Sequence, residues 1–266
     1  MASFSVVNNI AAVNAQANLA MTSVNLNRTM ARLTSGLRIN QSGDDAAGLA
    51  VANAHRSTVA VLTQGVRNAN DGLSVLQIKD GALNNISTLL DRLATLATQS
   101  ASASSSVNRA TLDAEFQDVI AEIDREANVA GLTTSGGFSV FVSSNGSNGS
   151  VGGTVGAANA TGLGVNGLGV ATAAAAQSAL TTLATAVTSL GTVQASVGTI
   201  ENRLMYAVTL AQSQIVNTMA AESRIRDANI AEESSSLTRY QILTQSGIAV
   251  LAQANQSSSA VLSLLR

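Results

Sequence analysis

The stretch Arg32-Leu-Thr-Ser-Gly-Leu-Arg-Ile-Asn-Gln-Ser-Gly-Asp-Asp-Ala-Ala-Gly-Leu-Ala-Val-Ala52 lays out two helices and the break between them. Gly36 and Gly43 interrupt the helical pattern, because glycine loses more backbone freedom in a helix than any residue with a side chain. Ser42, Asp44 and Asp45 then offer oxygens that cap the next helix and negative charge that complements its dipole. Adjacent carboxylates can also perform acid and base chemistry. At a helix start with no pocket signal beside them, capping is role enough.

Reading outward from this break, charge disappears toward both ends. Met1 to Asn27 holds no Asp, Glu, Lys or Arg, and neither does Tyr240 to Leu265. The whole chain is only 11% charged, against roughly 25% in ordinary soluble proteins. Ile10, Val13, Ala17, Ala20 and Val24 recur at spacings of three and four, and Leu19, Leu26 and Leu33 form a second stripe with period seven. Two stripes predict more than one buried face. Near the other end Leu237, Tyr240, Ile248, Leu251, Ala254, Leu262 and Leu265 form a comparable stripe opposite Gln, Ser and Asn. A helix of about 30 residues extends roughly 45 Å, more than a small domain can cover. Asn, Ser, Thr and Val are mediocre helix formers, so each end is expected to gain order by association. Periodicity alone leaves open whether the ends pair within one molecule or between copies.

The middle differs. Ala127 to Ile200 is also uncharged, but twelve of the chain's 21 glycines lie between Gly131 and Gly169, which predicts turns and short strands. Mixed charge is confined to Arg28–Glu126 and Glu201–Arg239, the pattern of solvated helices. The 266 residues include no Pro, Trp or Cys, so long helices run unbroken, and disulfides, thiolate catalysis and Cys-bound metals are excluded. His55 is the single histidine. It cannot by itself supply a triad or a zinc site and reads as an ordinary helix residue. With a net charge of −2 and no basic cluster, nucleic acid is not an expected partner. No run reaches the roughly 18 apolar residues of a membrane span. Met1 to Asn18 lacks the basic start and apolar run of a secretory signal, so any exit from the cell uses another route.

The Arg32–Ala52 stretch closely resembles the most recognisable segment of bacterial flagellins. Ile242-Leu-Thr-Gln-Ser-Gly-Ile-Ala-Val-Leu-Ala-Gln-Ala-Asn-Gln256 and Val261-Leu-Ser-Leu-Leu-Arg266 resemble the flagellin C-terminus almost residue for residue. Asn70-Asp-Gly-Leu73, Gly81-Ala-Leu-Asn84, Glu122-Ile-Asp124 and Asn202-Arg-Leu204 extend the similarity over roughly residues 1 to 130 and 170 to 266.

This resemblance implies a mainly α fold: long antiparallel helices forming a coiled-coil inner rod, and a helical-bundle outer domain with a small β-hairpin region. The inner rod would take residues 1–43 and 227–266. The outer rod would take 44–226, with helices over about 44–100, 106–129 and 172–226 and a β/turn insert over about 132–170. It further implies a structural subunit without enzymatic activity or cofactor, polymerising into the filament for motility. Export would follow the flagellar type III route, with the chain unfolded and folding at the filament tip, outside the cell. Partners would be copies of itself, an export chaperone, and the filament cap and hook-filament junction proteins. Polymerisation would rest on Ile10, Val13, Ala17, Leu19, Val24, Leu26, Leu33, Leu237, Tyr240, Ile248, Leu251, Leu262 and Leu265. Arg92, Leu96 and Glu115 match the surface that the flagellin-sensing Toll-like receptor recognises in immunostimulatory members, although Ala94 and Thr95 depart from that pattern. Some flagellins carry a zinc protease in the middle of the chain, but the 132–170 insert has no His, Glu or Asp. Asn145, Asn148 and Asn159 begin glycosylation sequons of a kind that Gly/Ser/Asn-rich turns produce by chance. Two other readings compete: a hook-filament junction protein, and a helical binding or signalling coiled-coil module.

Overall fold

The structure, a computed structural model, describes residues 8–102, 107–143 and 149–264; the side chains of 257–264 lie outside the described set. Among the described residues, five helices and one hairpin follow in order: α1 (Ile10–Ser35), α2 (Ala46–Ala101), α3 (Arg109–Val129), β1 (Gly136–Phe141), β2 (Ser150–Val155), α4 (Ala173–Arg226) and α5 (Ile230–Leu264). The absence of proline lets α2 run for 56 residues and α4 for 54. The architecture is mainly α with one small antiparallel sheet, as the family resemblance implies. By packing, the chain divides into a unit of residues 1–57 with 218–266 and a unit of residues 58–217. The division falls inside α2 and α4.

In the first unit α1 and α5 run antiparallel, their Cα atoms approaching within 8 Å along the pair. The covered side of α1 carries Ala12, Leu19, Leu26 and Leu33 in one row and Ala15, Thr22 and Thr29 in a second, both of period seven. The covered side of α5 answers with Leu237, Thr244 and Leu251 beside Tyr240, Gly247 and Ala254. Rows of this period are a coiled-coil seam. Small residues in the seam allow the close approach: a Cβ on Gly247 would stand 3.1 Å from Leu19 Cδ1. Asn9 caps α1 by accepting from the Ala12 N–H at 3.0 Å. Gly36 ends it at φ 72, a left-handed conformation that favours glycine, with its N–H donated to Arg32 O at 2.8 Å. Gly43 has no such positive φ. Asp45 is the cap of α2, its Oδ1 accepting from Gly48 N–H at 2.9 Å. Asp44 closes the turn before it, Oδ2 accepting from Asn40 N–H at 3.2 Å and Gln41 N–H at 3.1 Å. The returning chain is tied in by Arg38 N–H to Arg226 O at 2.7 Å and Ala228 N–H to Gly36 O at 2.9 Å.

The second unit holds the large core. Leu62, Ala69, Leu76, Leu83, Leu90 and Ala97 form one period-seven row on α2, and Ala176, Leu183, Leu190, Val197, Leu204 and Ala211 form its counterpart on α4, all buried. From α3, Leu112, Phe116, Ile120, Ile123 and Ala127 enter the same cluster. The β1–β2 hairpin, in register from Gly136↔Val155 to Phe141↔Ser150, adds Val140 and Val155. It approaches α2 where two glycines open room. A Cβ on Gly65 would lie 1.8 Å from the Val142 carbonyl oxygen, and one on Gly72 would lie 2.6 Å from Val140 Cγ2. On the α4 side Arg203 Nη1 donates to Gly152 O at 2.8 Å.

The uncharged segment after the hairpin is docked against the core. Ala158, Ala160, Leu163, Val165 and Val170 are buried, and α3 supplies the polar anchors. Asp124 Oδ1 accepts from Ala160 N–H at 2.8 Å, Asp113 Oδ1 accepts from Val170 N–H at 2.6 Å, and Gln117 Nε2 donates to Leu168 O at 2.7 Å. An unpaired charge at these buried positions would be costly. Lys79, the one lysine in the chain, occupies a core-facing position on α2 and donates to Ala130 O at 2.9 Å and Gly131 O at 3.0 Å, satisfying the end of α3. Burial holds its amine below the ordinary lysine value.

Candidate assembly faces

The two stripes expected on α1 lie on opposite sides of the helix. Leu19, Leu26 and Leu33 are half-buried in the seam with α5. The other stripe follows the same repeat displaced by two residues, about 200° around the helix, and it is open: Ile10 is 66% exposed and Val24 51%, with Val13 and Ala17 exposed between them. α1 is thus a helix with two seams, one filled within the chain. Met21 and Met30 widen the open side. Sequence reasoning passed over them, although both are large apolar residues in the same segment.

On α5, Leu237, Tyr240 and Leu251 are half-buried toward α1, while Ile248 is 56% exposed. Ile242, Leu243 and Val250 are exposed as well, although none of them belongs to the stripe expected from the sequence. The Leu262 side chain and Leu265 lie outside the described residues. A helix that keeps apolar side chains on several faces is one meant for burial on more than one side. Each Val, Leu or Ile covered by a neighbour contributes about 1.5–3 kcal/mol before the costs of association.

Polar groups hold the pair at its ends. Arg32 Nη1 meets Glu233 Oε1 at 3.2 Å, and Arg32 Nη2 lies 3.9 Å from Asp44 Oδ1. The α1 end, the α5 start and the turn between α1 and α2 therefore share one cation. The Asp44 carboxyl sits below the ordinary aspartate value, chiefly through its hydrogen bond from the Gln41 backbone and further through Asn40, Arg32 and Arg28, against the opposing effect of burial. At the far end Asn9 Nδ2 donates to Ala254 O at 2.9 Å. Between these clamps α1 has no charge before Arg28, and α5 has none after Arg239.

The three residues expected to meet a receptor separate in the structure. Arg92 and Glu115 face each other on the surface of the second unit, Arg92 Nε donating to Glu115 Oε1 at 3.1 Å. Leu96 is 1% exposed and part of the core, so the folded unit offers no Leu96 side chain to a partner. His55 is half-buried on α2. Among the described residues no group of three or more His, Cys, Asp or Glu could hold a metal ion, and no helix is long and apolar enough to cross a membrane. Of the three sequons, Asn145 and Asn148 lie outside the described residues; Asn159 is half-buried, its Oδ1 accepting from Gly162 N–H at 2.9 Å.

Long proline-free helices, chain ends paired as a coiled coil and a second seam left open on that pair define a class: helical subunits with a face prepared for other helices. Comparison with known proteins gives the class its family. The bacterial flagellin N-terminal helical region matches residues 6–142, and the bacterial flagellin C-terminal helical region matches residues 180–265. Flagellin FlaB1 of Treponema pallidum is 36% identical over 97% of this chain and 98% of its own length. The flagellar filament 33 kDa core protein of Treponema phagedenis is likewise 36% identical, with 97% and 98% covered. A flagellin of Halalkalibacterium halodurans is 35% identical, again over 97% and 98%. The chain belongs to the bacterial flagellin family, a family of structural proteins, and is a structural subunit of the flagellar filament.

Proposed function

We propose that copies of this chain polymerise through the open seam of α1, Ile10, Val13, Ala17 and Val24, together with Ile248 and the other outward apolar side chains of α5. The observation that carries this reading is that seam itself, a coiled-coil repeat whose apolar side chains stand exposed among the described residues. Residues 1–43 and 227–266 then form the inner rod of the filament and residues 44–226 the outer rod. The subunit leaves the cell unfolded by the flagellar type III route, handed over by an export chaperone, and folds beneath the filament cap at the tip; the first copies join the hook-filament junction proteins. Its work is mechanical, with neither catalysis nor a cofactor. A cysteine-free, proline-free chain suits such transit, having no disulfide to reduce and no X-Pro bond to isomerise slowly. Where a host Toll-like receptor reads the surface, Arg92 and Glu115 make the contact and Leu96 supports them from within.

Seeding purified monomer with sheared fragments should give tubes with a central channel by electron microscopy. The variant Val13→Lys should leave the monomer's helical signal unchanged and abolish elongation, because a charge would then have to be buried in the new seam. Discrete soluble particles from the unaltered chain under all conditions would overturn the reading in favour of a junction protein.

A further inference from the structure

Glu201 belongs to α4 between the buried Ile200 and Leu204, facing α2 within the second unit. Its Oε1 is buried and accepts no hydrogen bond. The charged group that bears on it is Asp80 of α2, another carboxylate. Among the described residues neither carboxylate forms an ion pair. Lys79, next to Asp80, is committed to the carbonyls of Ala130 and Gly131. Arg203, two residues along α4, is committed to Gly152 O. Asp80 Oδ2 accepts from Asn84 Nδ2 at 3.3 Å, and Asn84 Oδ1 accepts in turn from Gln194 Nε2 of α4 at 3.3 Å. On α3, Glu126 is taken up by Asn85 at 2.8 Å and Arg125 at 3.0 Å. The strands β1 and β2, which cover this part of α4, have no titratable side chain. Burying a charged carboxylate and setting a like charge beside it both cost stability, and one proton on Glu201 relieves both.

We propose that Asp80 and Glu201 form a proton-responsive clasp between α2 and α4, strained when both carboxylates are charged and tightened when Glu201 takes up a proton. Burial, with Asp80 beside it, raises the Glu201 carboxyl above the ordinary glutamate value, which agrees in direction. A group with a raised value in the folded state adds stability as pH falls through it, opposite to the paired carboxylates Asp44 and Glu122, both held low. The clasp therefore offsets part of the acid sensitivity of the rest of the chain.

The test compares full-length monomer with Glu201→Gln and Asp80→Asn by urea unfolding from pH 7.5 to 4.5. At pH 7.5 the Glu201→Gln midpoint should lie at higher urea than that of the unaltered chain, and the gap should close as pH falls. The Asp80→Asn midpoint should shift the same way, by less. A lower midpoint for Glu201→Gln at pH 7.5, or a gap that does not change with pH, would overturn the proposal. Titration of the Glu201 side-chain carbon by NMR in the unaltered chain gives a reading that needs no variant to fold. Its midpoint should lie above the ordinary glutamate range, and one at the ordinary value would also overturn the clasp.

Discussion

The α1–α5 pair and the α2–α4 pair are written in the same seven-residue repeat and reach different ends. In α2 and α4 the rows hold Leu62, Leu76, Leu83 and Leu90 against Leu183, Leu190 and Leu204, and α3 with the hairpin closes the sides, so these side chains are buried. In α1 and α5 the seam is Ala, Thr and Gly with a few leucines. Its residues are mostly half-buried. Among the described residues of the first unit, the buried ones are Thr29, Ile39 and Ala52. The repeat determines that two helices pair. Side-chain size and lateral cover determine whether the pair is finished. The terminal pair keeps apolar side chains exposed, the surface through which we propose that subunits meet.

The largest effect should separate the two pairs directly. Leu90→Ala removes a fully buried side chain from a closed core and should cost about 2–5 kcal/mol in urea unfolding followed by circular dichroism. Leu19→Ala, in a seam open at its sides, should cost less than about 2 kcal/mol in the monomer while slowing filament elongation sharply. Equal costs in the monomer would erase the distinction.

Glycines sharpen the comparison at a smaller scale. Gly65→Ala sets a methyl against the Val142 carbonyl, so the hairpin must move away from α2; the expected loss is about 1–3 kcal/mol, visible as a lowered thermal midpoint. Gly81→Ala on the same helix meets nothing within 4 Å and should gain about 0.5–1 kcal/mol from helix propensity alone. If both alanines behave alike, the close approach of hairpin to helix is wrong.

How much of this was legible beforehand depended on what each signal encodes. The helices and the charge-free ends could be read because periodicity and composition are local. Leu19 and Ile10 could be separated into two stripes, but which stripe the chain itself covers could not be told, since that depends on the partner helix. The segment over 132–170 was legible only as turns and strands. Its docking rests on Asp113, Asp124 and Gln117 of α3, residues that look like an ordinary solvated face until the loop is laid on them. Leu96 shows a related limit: its match to a receptor pattern holds no information about burial, and the side chain lies in the core. Gly65 and Gly72 carried a usable signal, two glycines seven apart in a long helix, which marks close approach of another segment.

Capping provides the next step down. Asp45→Ala leaves the Gly48 N–H without its acceptor and should cost about 1 kcal/mol, read as a lower urea midpoint. Its neighbour Asp44 gives a subtler test of whether the turn belongs to the terminal pair. Asp44 accepts from Asn40 and Gln41 and lies beside Arg32, which also holds Glu233 at the start of α5. Because its folded value is depressed below the ordinary 3.8, the folded state releases that proton more readily than the unfolded chain. The stabilisation is therefore fully present above that ordinary value and is lost as pH falls through the folded one. Asp44→Asn should accordingly lower stability at pH 6 and approach the unaltered chain near the acid end of the titration. Hydrogen exchange at the amides of Asn40 and Gln41 should report the loss first, with loss of protection spreading from there into α1 and α5. If the variant differs from the unaltered chain by the same amount at every pH, the Asp44 carboxylate is not what joins the turn to the helix pair.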